Sequence, residues 1–314
     1  MDESEIVQQA EIRQALAHAD TLLSGIPPIL GHLLSAPDQS LFSDEVIARV
    51  RGMLSDLARQ VLVAQASVTG PSGCDAFVAR HHDSLSEHFK ASTDLLSHCH
   101  ALSVEWQLAE RLETEIGLDP VMPPLLARIL SEGDATASSA AMAILAAQAR
   151  FAQSQRRMEL PLGQLPGDLF HQALLAWRDY CGHSASDAVA RTEEKLRHDY
   201  DEAGARPVLL ARIIALPGVD QAALAVEDAG TGLFFSALAA CSGQSRDLAV
   251  LSSHPNQVTR LAMGLRACGL EPHRIDESLL RLHPGSAPIG GLETISAEAA
   301  RSILADSAHR LDPR

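Results

Sequence analysis

The sequence predicts an all-α protein built of stacked helical hairpins, and three observations carry that expectation. Alanine and leucine abound while aromatic residues make up only 4% of the 314-residue chain, a balance that favours close helix packing over sheet. Alternating β-branched runs, the signature of strands, are nearly absent. One phrase recurs: Pro123-Pro124-Leu125-Leu126-Ala127-Arg128-Ile129-Leu130-Ser131-Glu132-Gly133-Asp134 repeats the stretch from Pro27-Pro28 to Pro37-Asp38 at an offset of 96, with six of twelve residues identical. Pro207 to Ile214, followed by Pro217-Gly218 and Asp220, is a weaker third copy. Proline suits the first turn of a helix, where its missing N–H costs nothing. The leucines and isoleucines supply an apolar stripe, and the Ser/Gly/Pro/Asp turn ends it. Repetition of such a unit points to stacked helical pairs.

Taken in order, residues 4–23 form an alanine-rich helix marked by Ile6, Ile12, Leu16 and Leu23, and the first Pro-Pro helix covers 27–35. Ser43 is placed to cap the next helix, with Asp44 and Glu45 in its first turn where the dipole favours negative charge. That helix buries Val46, Val50, Met53, Leu54, Leu57, Val61 and Leu62. Thr69-Gly70-Pro71-Ser72-Gly73 is the clearest linker. A long helix is expected from Ser84 to Ile116, opened by the capping box Ser84-Leu85-Ser86-Glu87. Its near-heptad seam, Leu85, Phe89, Ser92, Leu95, Cys99, Leu102, Trp106, Leu112 and Ile116, fits either an intramolecular bundle or a homodimer through residues 84–116.

The second Pro-Pro helix follows, then an alanine-rich helix at 137–158, and then a helix opened by Pro166 and Asp168. The latter turns Leu169, Phe170, Ala173, Leu174, Trp177 and Cys181 to one side. A polar helix at 185–203 and the third copy at 207–216 come next. Shorter helices centre on 220–228, 231–242, 245–252, 256–268 and 274–282, punctuated by Gly218, Gly230, Gly243, Pro255, Gly269 and Pro272. Residues 284–291 read as a flexible linker, and a last helix is capped by Ser296. The chain thus divides into residues 1–160, a helical region with two copies of the Pro-Pro unit that can include a helical bundle, residues 161–284, a helical-repeat region, and residues 285–314, linker and terminal helix.

A net charge of −15, from 40 acidic and 25 basic residues, argues against broad nucleic-acid binding and against docking on anionic lipid. The start lacks the basic and apolar regions of a signal peptide, and no apolar run approaches the roughly 20 residues that span a bilayer. Cys74, Cys99, Cys181, Cys241 and Cys268 are odd in number, and no pair has C-x-x-C spacing, so neither a zinc site nor a disulfide framework is indicated. The expectation is a soluble, cytoplasmic protein without membrane or nucleic-acid partners.

Two stretches carry a resemblance. Gln155-Arg156-Arg157-Met158-Glu159-Leu160-Pro161-Leu162-Gly163-Gln164-Leu165-Pro166-Gly167-Asp168-Leu169-Phe170 is one, and the other runs from Phe234-Phe235-Ser236-Ala237-Leu238 to Arg266-Ala267-Cys268-Gly269-Leu270. With the turn Leu34-Ser35-Ala36-Pro37-Asp38-Gln39-Ser40, they resemble a bacterial family of uncharacterised, HEAT-like all-helical proteins. The resemblance covers about half the chain. It implies HEAT-like irregular helical repeats and carries over no catalytic residue.

Chemistry-bearing clusters are few. His81, His82, His88, His98 and His100 lie close together with Cys99, Asp83 and Glu87, but no H-x-x-x-H or H-E-x-x-H places two ligands on one helix face. Solvated helix histidines are the expected reading, with a metal-binding sensor or a phosphorelay regulator as the alternative function. No G-x-S-x-G, activated cysteine or phosphate loop occurs. The carboxylate pairs Glu227-Asp228 and Glu193-Glu194 are expected to be solvated. Arg150, Arg156 and Arg157 form the one local basic cluster, suited to carboxylate or phosphate groups on a partner, or to internal pairing with Glu132 or Asp168. The expected function is therefore a non-enzymatic protein-interaction or regulatory scaffold, needing no cofactor or metal and binding a protein partner through these arginines.

Overall fold

The computed structural model describes residues 3–35, 44–69, 73–182, 187–285 and 287–311. Among them are fifteen α-helices and no strand, so the protein is all-α. The helices are α1 (Glu3–Ser35), α2 (Asp44–Thr69), α3 (Cys74–Lys90), α4 (Thr93–Ile116), α5 (Pro124–Glu132), α6 (Ala135–Arg156), α7 (Gly167–Cys181) and α8 (Asp187–Asp199). They continue as α9 (Arg206–Ile214), α10 (Val219–Ala222), α11 (Val226–Ser242), α12 (Arg246–Leu251), α13 (Val258–Ala267), α14 (Pro272–Leu282) and α15 (Ala297–Leu311). Among the described residues no helix is long and apolar enough to cross a membrane.

The chain forms two compact units, each assembled from separate segments. The first contains Met1–Ile26, Val104–Met142 and Leu210–Arg314, the second Pro27–Ser103 and Ala143–Leu209. This division by contact interleaves the sequence and differs in kind from the linear segments 1–160, 161–284 and 285–314.

In the second unit, α2 packs on α3 and α8, and α3 on α7. The stripe expected on α2 is fully realised: Val46, Val50, Met53, Leu54, Leu57, Val61 and Leu62 all join the core. Leu169, Phe170, Ala173, Leu174 and Trp177 of α7 meet them there, with Leu85, Phe89, Leu95, Cys99 and Leu102. Each such large side chain contributes roughly 1.5–3 kcal/mol through burial. Cys181, expected in the same core, is only half-buried. In the first unit, α11 packs against α5, α10, α12 and α13, while α13 also carries α14 and α15. Phe234 and Phe235 of α11 are fully buried and meet edge to face at 5.1 Å. The terminal helix therefore docks on this chain, and Ser296 caps it as expected, its Oγ accepting from Ala299 N at 3.1 Å.

Three boundaries differ from the sequence expectation. α1 runs straight through Pro27 and Pro28, so the first copy of the phrase begins inside a helix, whereas Pro123 caps α5 and Pro124 opens it. Proline removes only its own N–H, leaving the carbonyl four residues earlier without a helical donor, and the chain accepts that loss here. The helix expected from Ser84 to Ile116 is two helices, and Ser84 and Glu87 lie within α3 rather than at an N-terminus. The operative cap is Ser92, whose Oγ accepts from Leu95 N at 3.4 Å. The helices expected at 220–228 and 231–242 are rephased: α10 is a single turn, and α11 bends at Gly230 (φ 67, ψ 168). Those torsions are essentially open to glycine alone, and a Cβ there would lie 3.1 Å from Pro123 Cβ. The expected cap Ser43, the turn at Pro37-Asp38 and residues 70–72 of the expected linker lie outside the described residues.

Candidate functional site

Arg150, Arg156 and Arg157 are exposed around the C-terminal end of α6, in the second unit. The end of that helix is sharply built. Met158 N bonds to Gln155 O at 3.1 Å and Glu159 N reaches back to Ser154 O at 2.9 Å. This is the double bond of a Schellman motif, which needs a left-handed residue just past the helix. Met158 supplies it at φ 57, alone among described non-glycine residues. Arg156 and Arg157 thus stand where the helix dipole is negative and cations are favoured, typically by 0.3–1 kcal/mol. Arg150 and Arg157 are seven residues apart, two turns, and so share one direction.

Side chains of α2 fasten this end in place. The Arg49 guanidinium, only 6% exposed and paired with Glu45, donates to Gln155 O at 2.6 Å. Asp56 accepts from Leu160 N at 3.1 Å, while Gln60 donates to Leu160 O and accepts from Leu162 N, both at 2.9 Å. Gly52 lies so close to this turn that a Cβ would meet Met158 O at 2.7 Å. Sequence reasoning missed Arg49, Asp56 and Gln60. The available signal was three polar residues interrupting the otherwise apolar α2 stripe at near-helical spacing. The acids offered as internal partners for the arginines also act on other groups. Glu132 adds its charge beside Arg128, and Asp168 lies near Tyr200. Burial, and then the charges of Glu202, Asp168 and Asp201, push the Tyr200 phenol up to about 12. Arg156 also takes part in an interaction within the fold.

The histidine tract is not the solvated face expected from the sequence. His98 and His100 are each 3% exposed on α4. His81 Nδ1 meets Tyr180 Oη at 2.9 Å, His82 Nε2 meets Ser55 Oγ at 3.0 Å, and His88 Nε2 lies 3.1 Å from Asp179 Oδ2. α3 packs against α2 and α7, which brings His81, His82 and His88 onto protein partners. His81, His82 and His88 each address a different group, and among the described residues no set of three or more His, Cys, Asp or Glu side chains could hold a metal ion.

The carboxylate pairs are not simply solvated either. Asp228 receives both prongs of the Arg128 guanidinium, and Glu193 pairs with Arg197 at 2.9 Å and Arg178 at 3.4 Å. In the first unit an open cleft of about 240 Å³ is walled by Leu224, Glu227, Leu270, Glu271, Arg274 and Glu277. Arg274 lies 3.5 Å from Glu277 in an exposed pair one helical turn apart. No protein-family model, curated protein or solved structure matches this chain.

Proposed function

We propose that the chain is a non-enzymatic scaffold of HEAT-like helical hairpins that binds an acidic or phosphorylated segment of a partner protein through Arg150, Arg156 and Arg157. The observation that carries this reading is the pre-organised arginine end of α6 in a chain of net charge −15. Arg156 and Arg157 adjoin a turn whose backbone is fastened by Arg49, Asp56 and Gln60, and Arg150 stands two turns earlier on the same helix. Rigid support of this kind lowers the cost of ordering on binding, and arginine forks match carboxylate and phosphate oxygens. The hairpin reading draws on the repeated Pro-helix phrase and the α2/α3 pair. Pairs remote in sequence, such as α2/α8, α3/α7 and α5/α11, distinguish it from a strict nearest-neighbour solenoid. The family resemblance and a cytoplasmic setting belong to the same proposal. Homodimerisation through residues 84–116 has weaker support, because Phe89 and Trp106 are buried within their own chain.

The test compares wild type with Arg150→Glu/Arg157→Glu as bait in lysate of the native cell, then titrates the recovered partner in purified form at two salt concentrations. The expected result is a partner whose affinity falls at least tenfold in the variant and weakens with salt. Equal recovery and affinity for both proteins would overturn the proposal.

A further inference from the structure

Cys241 and Cys268 are 27 residues apart in sequence and lack C-x-x-C spacing. The packing of α11 against α13 in the first unit brings them together. The Cys268 sulfur lies 3.8 Å from the carbonyl oxygen of Leu238, one helical turn before Cys241 on α11. That single S–H is directed at the Leu238 carbonyl, with the Cys241 thiol as a neighbouring group. Leu238 also sits against Gly264, where a Cβ would come within 3.1 Å of its side chain, so the two helices are close at this point. The two thiols differ in access: Cys268 is 6% exposed and Cys241 is half-buried. Arg301 of α15 and Asp220 of α10 are the charged groups that face the pair.

From this arrangement we infer that Cys241 and Cys268 form a peroxide-sensitive dithiol, Cys241 being the thiol attacked first and Cys268 the one that resolves it. The Cys241 thiolate attacks one oxygen of hydrogen peroxide, the O–O bond breaks and hydroxide leaves, giving a sulfenic acid. The Cys268 sulfur, losing its proton, then attacks the Cys241 sulfur. The S–S bond forms and the sulfenic oxygen departs as water. Two electrons pass from the two thiols to one peroxide, which becomes two waters once the released protons are taken up. Disulfide sulfurs sit about 2.05 Å apart, so the two sulfurs must close on one another, Cys268 giving up its bond to the Leu238 carbonyl. The product ties α11 covalently to α13.

The electrostatics agree with the order of events. Donation from the Cys268 thiol to an ionised Cys241 draws the Cys241 thiol down to about 7, with Arg301 assisting against burial and Asp220. The same hydrogen bond, together with burial and the Cys241 charge, pushes Cys268 up. The pair therefore loses its first proton from the accessible sulfur. A thiol near 7 is about half ionised at pH 7, against roughly 3% for one near 8.5, while its intrinsic nucleophilicity is about fivefold lower. The net expectation is about a threefold advantage.

The test treats the reduced full-length protein with hydrogen peroxide and maps tryptic peptides without reduction. A cross-link between peptides 213–246 and 267–274, reversed by dithiothreitol, is expected. In Cys268→Ala, dimedone should label Cys241 instead; in Cys241→Ala neither product should form. Iodoacetamide at pH 7 should modify Cys241 about three times faster than Cys74, with a rate midpoint near pH 7. Circular dichroism of each variant checks that it is folded. Absence of the cross-link in the folded wild type, or a Cys241 that reacts no faster than Cys74, would overturn the inference.

Discussion

Arg260 of α13 is fully buried, and its guanidinium is bonded to the carboxylate of Asp20 on α1, 240 residues away in sequence and 5% exposed. Gln244 Oε1 accepts from the same guanidinium at 2.8 Å, and Ser307 of α15 bonds to both members of the pair. Four segments of the first unit thus converge on one buried charge pair. Its desolvation is costly, and the bonds from Gln244 and Ser307 offset part of that cost. Removing one partner exposes the cost. Asp20→Ala should destabilise the protein by about 3–5 kcal/mol, measured by urea unfolding, because an uncompensated guanidinium remains inside. Asp20→Ala/Arg260→Met should recover about 2 kcal/mol of that loss, even with Gln244 and Ser307 left short of a partner. Additive effects of the two substitutions would show that the pair is not coupled.

Much of the helical layout is readable in the sequence wherever glycine or proline marks a boundary. Pro124, Gly218, Gly243, Gly269 and Pro272 fall at or next to observed helix ends, and for each the reason is local: a fixed φ, a missing N–H, or a left-handed residue at the boundary. The α3/α4 break has only Ala91-Ser92 to announce it, and the continuous α1 contradicts its own prolines. At the candidate site the three arginines are visible as a cluster of like charge. Their supports are not, since Arg49 and Gln155 lie 106 residues apart and nothing in either stretch names the other. The same limit applies to Cys241 with Cys268 and to Asp20 with Arg260. Periodicity reports which face is buried, and it carries no information about which polar groups meet once it is.

Acid should weaken the first unit through His283. Burial depresses its basicity, and the charge of Arg111 and the neighbouring His254 add to the effect; burial lowers His254 as well. His283 Nε2 has no hydrogen-bond partner among the described residues, so the fold offers nothing to a second proton. A histidine whose folded value lies below its unfolded value of about 6.5 binds protons preferentially in the unfolded chain. Its stabilising contribution is therefore complete above about pH 6.5 and declines as pH falls below it. The urea midpoint of wild type should drop between pH 7 and pH 5 more steeply than that of His283→Asn, which cannot charge. Parallel pH profiles for the two proteins would remove His283 from the account.

Gly52 links the stability of the second unit to its arginine surface. Alanine in place of glycine inside a helix ordinarily stabilises by about 0.5–1 kcal/mol. At this position the added methyl would lie 2.7 Å from both Met158 Cβ and Met158 O, and the second of these is backbone held in the α6 end motif. Overpacking against a fixed neighbour costs about 1–3 kcal/mol, so the sign reverses and Gly52→Ala should lower stability by about 1–2 kcal/mol. Gly163→Ala provides the comparison, since a Cβ there meets nothing within 4 Å and the change should be neutral or slightly stabilising. If the methyl is accommodated by moving the turn, Arg156 and Arg157 move with it, although every arginine is still present. Gly52→Ala should then weaken binding of the acidic partner while Gly163→Ala leaves it unchanged. That pairing separates the two roles of the surface: charge alone would survive Gly52→Ala, whereas a geometrically fixed arginine platform would not.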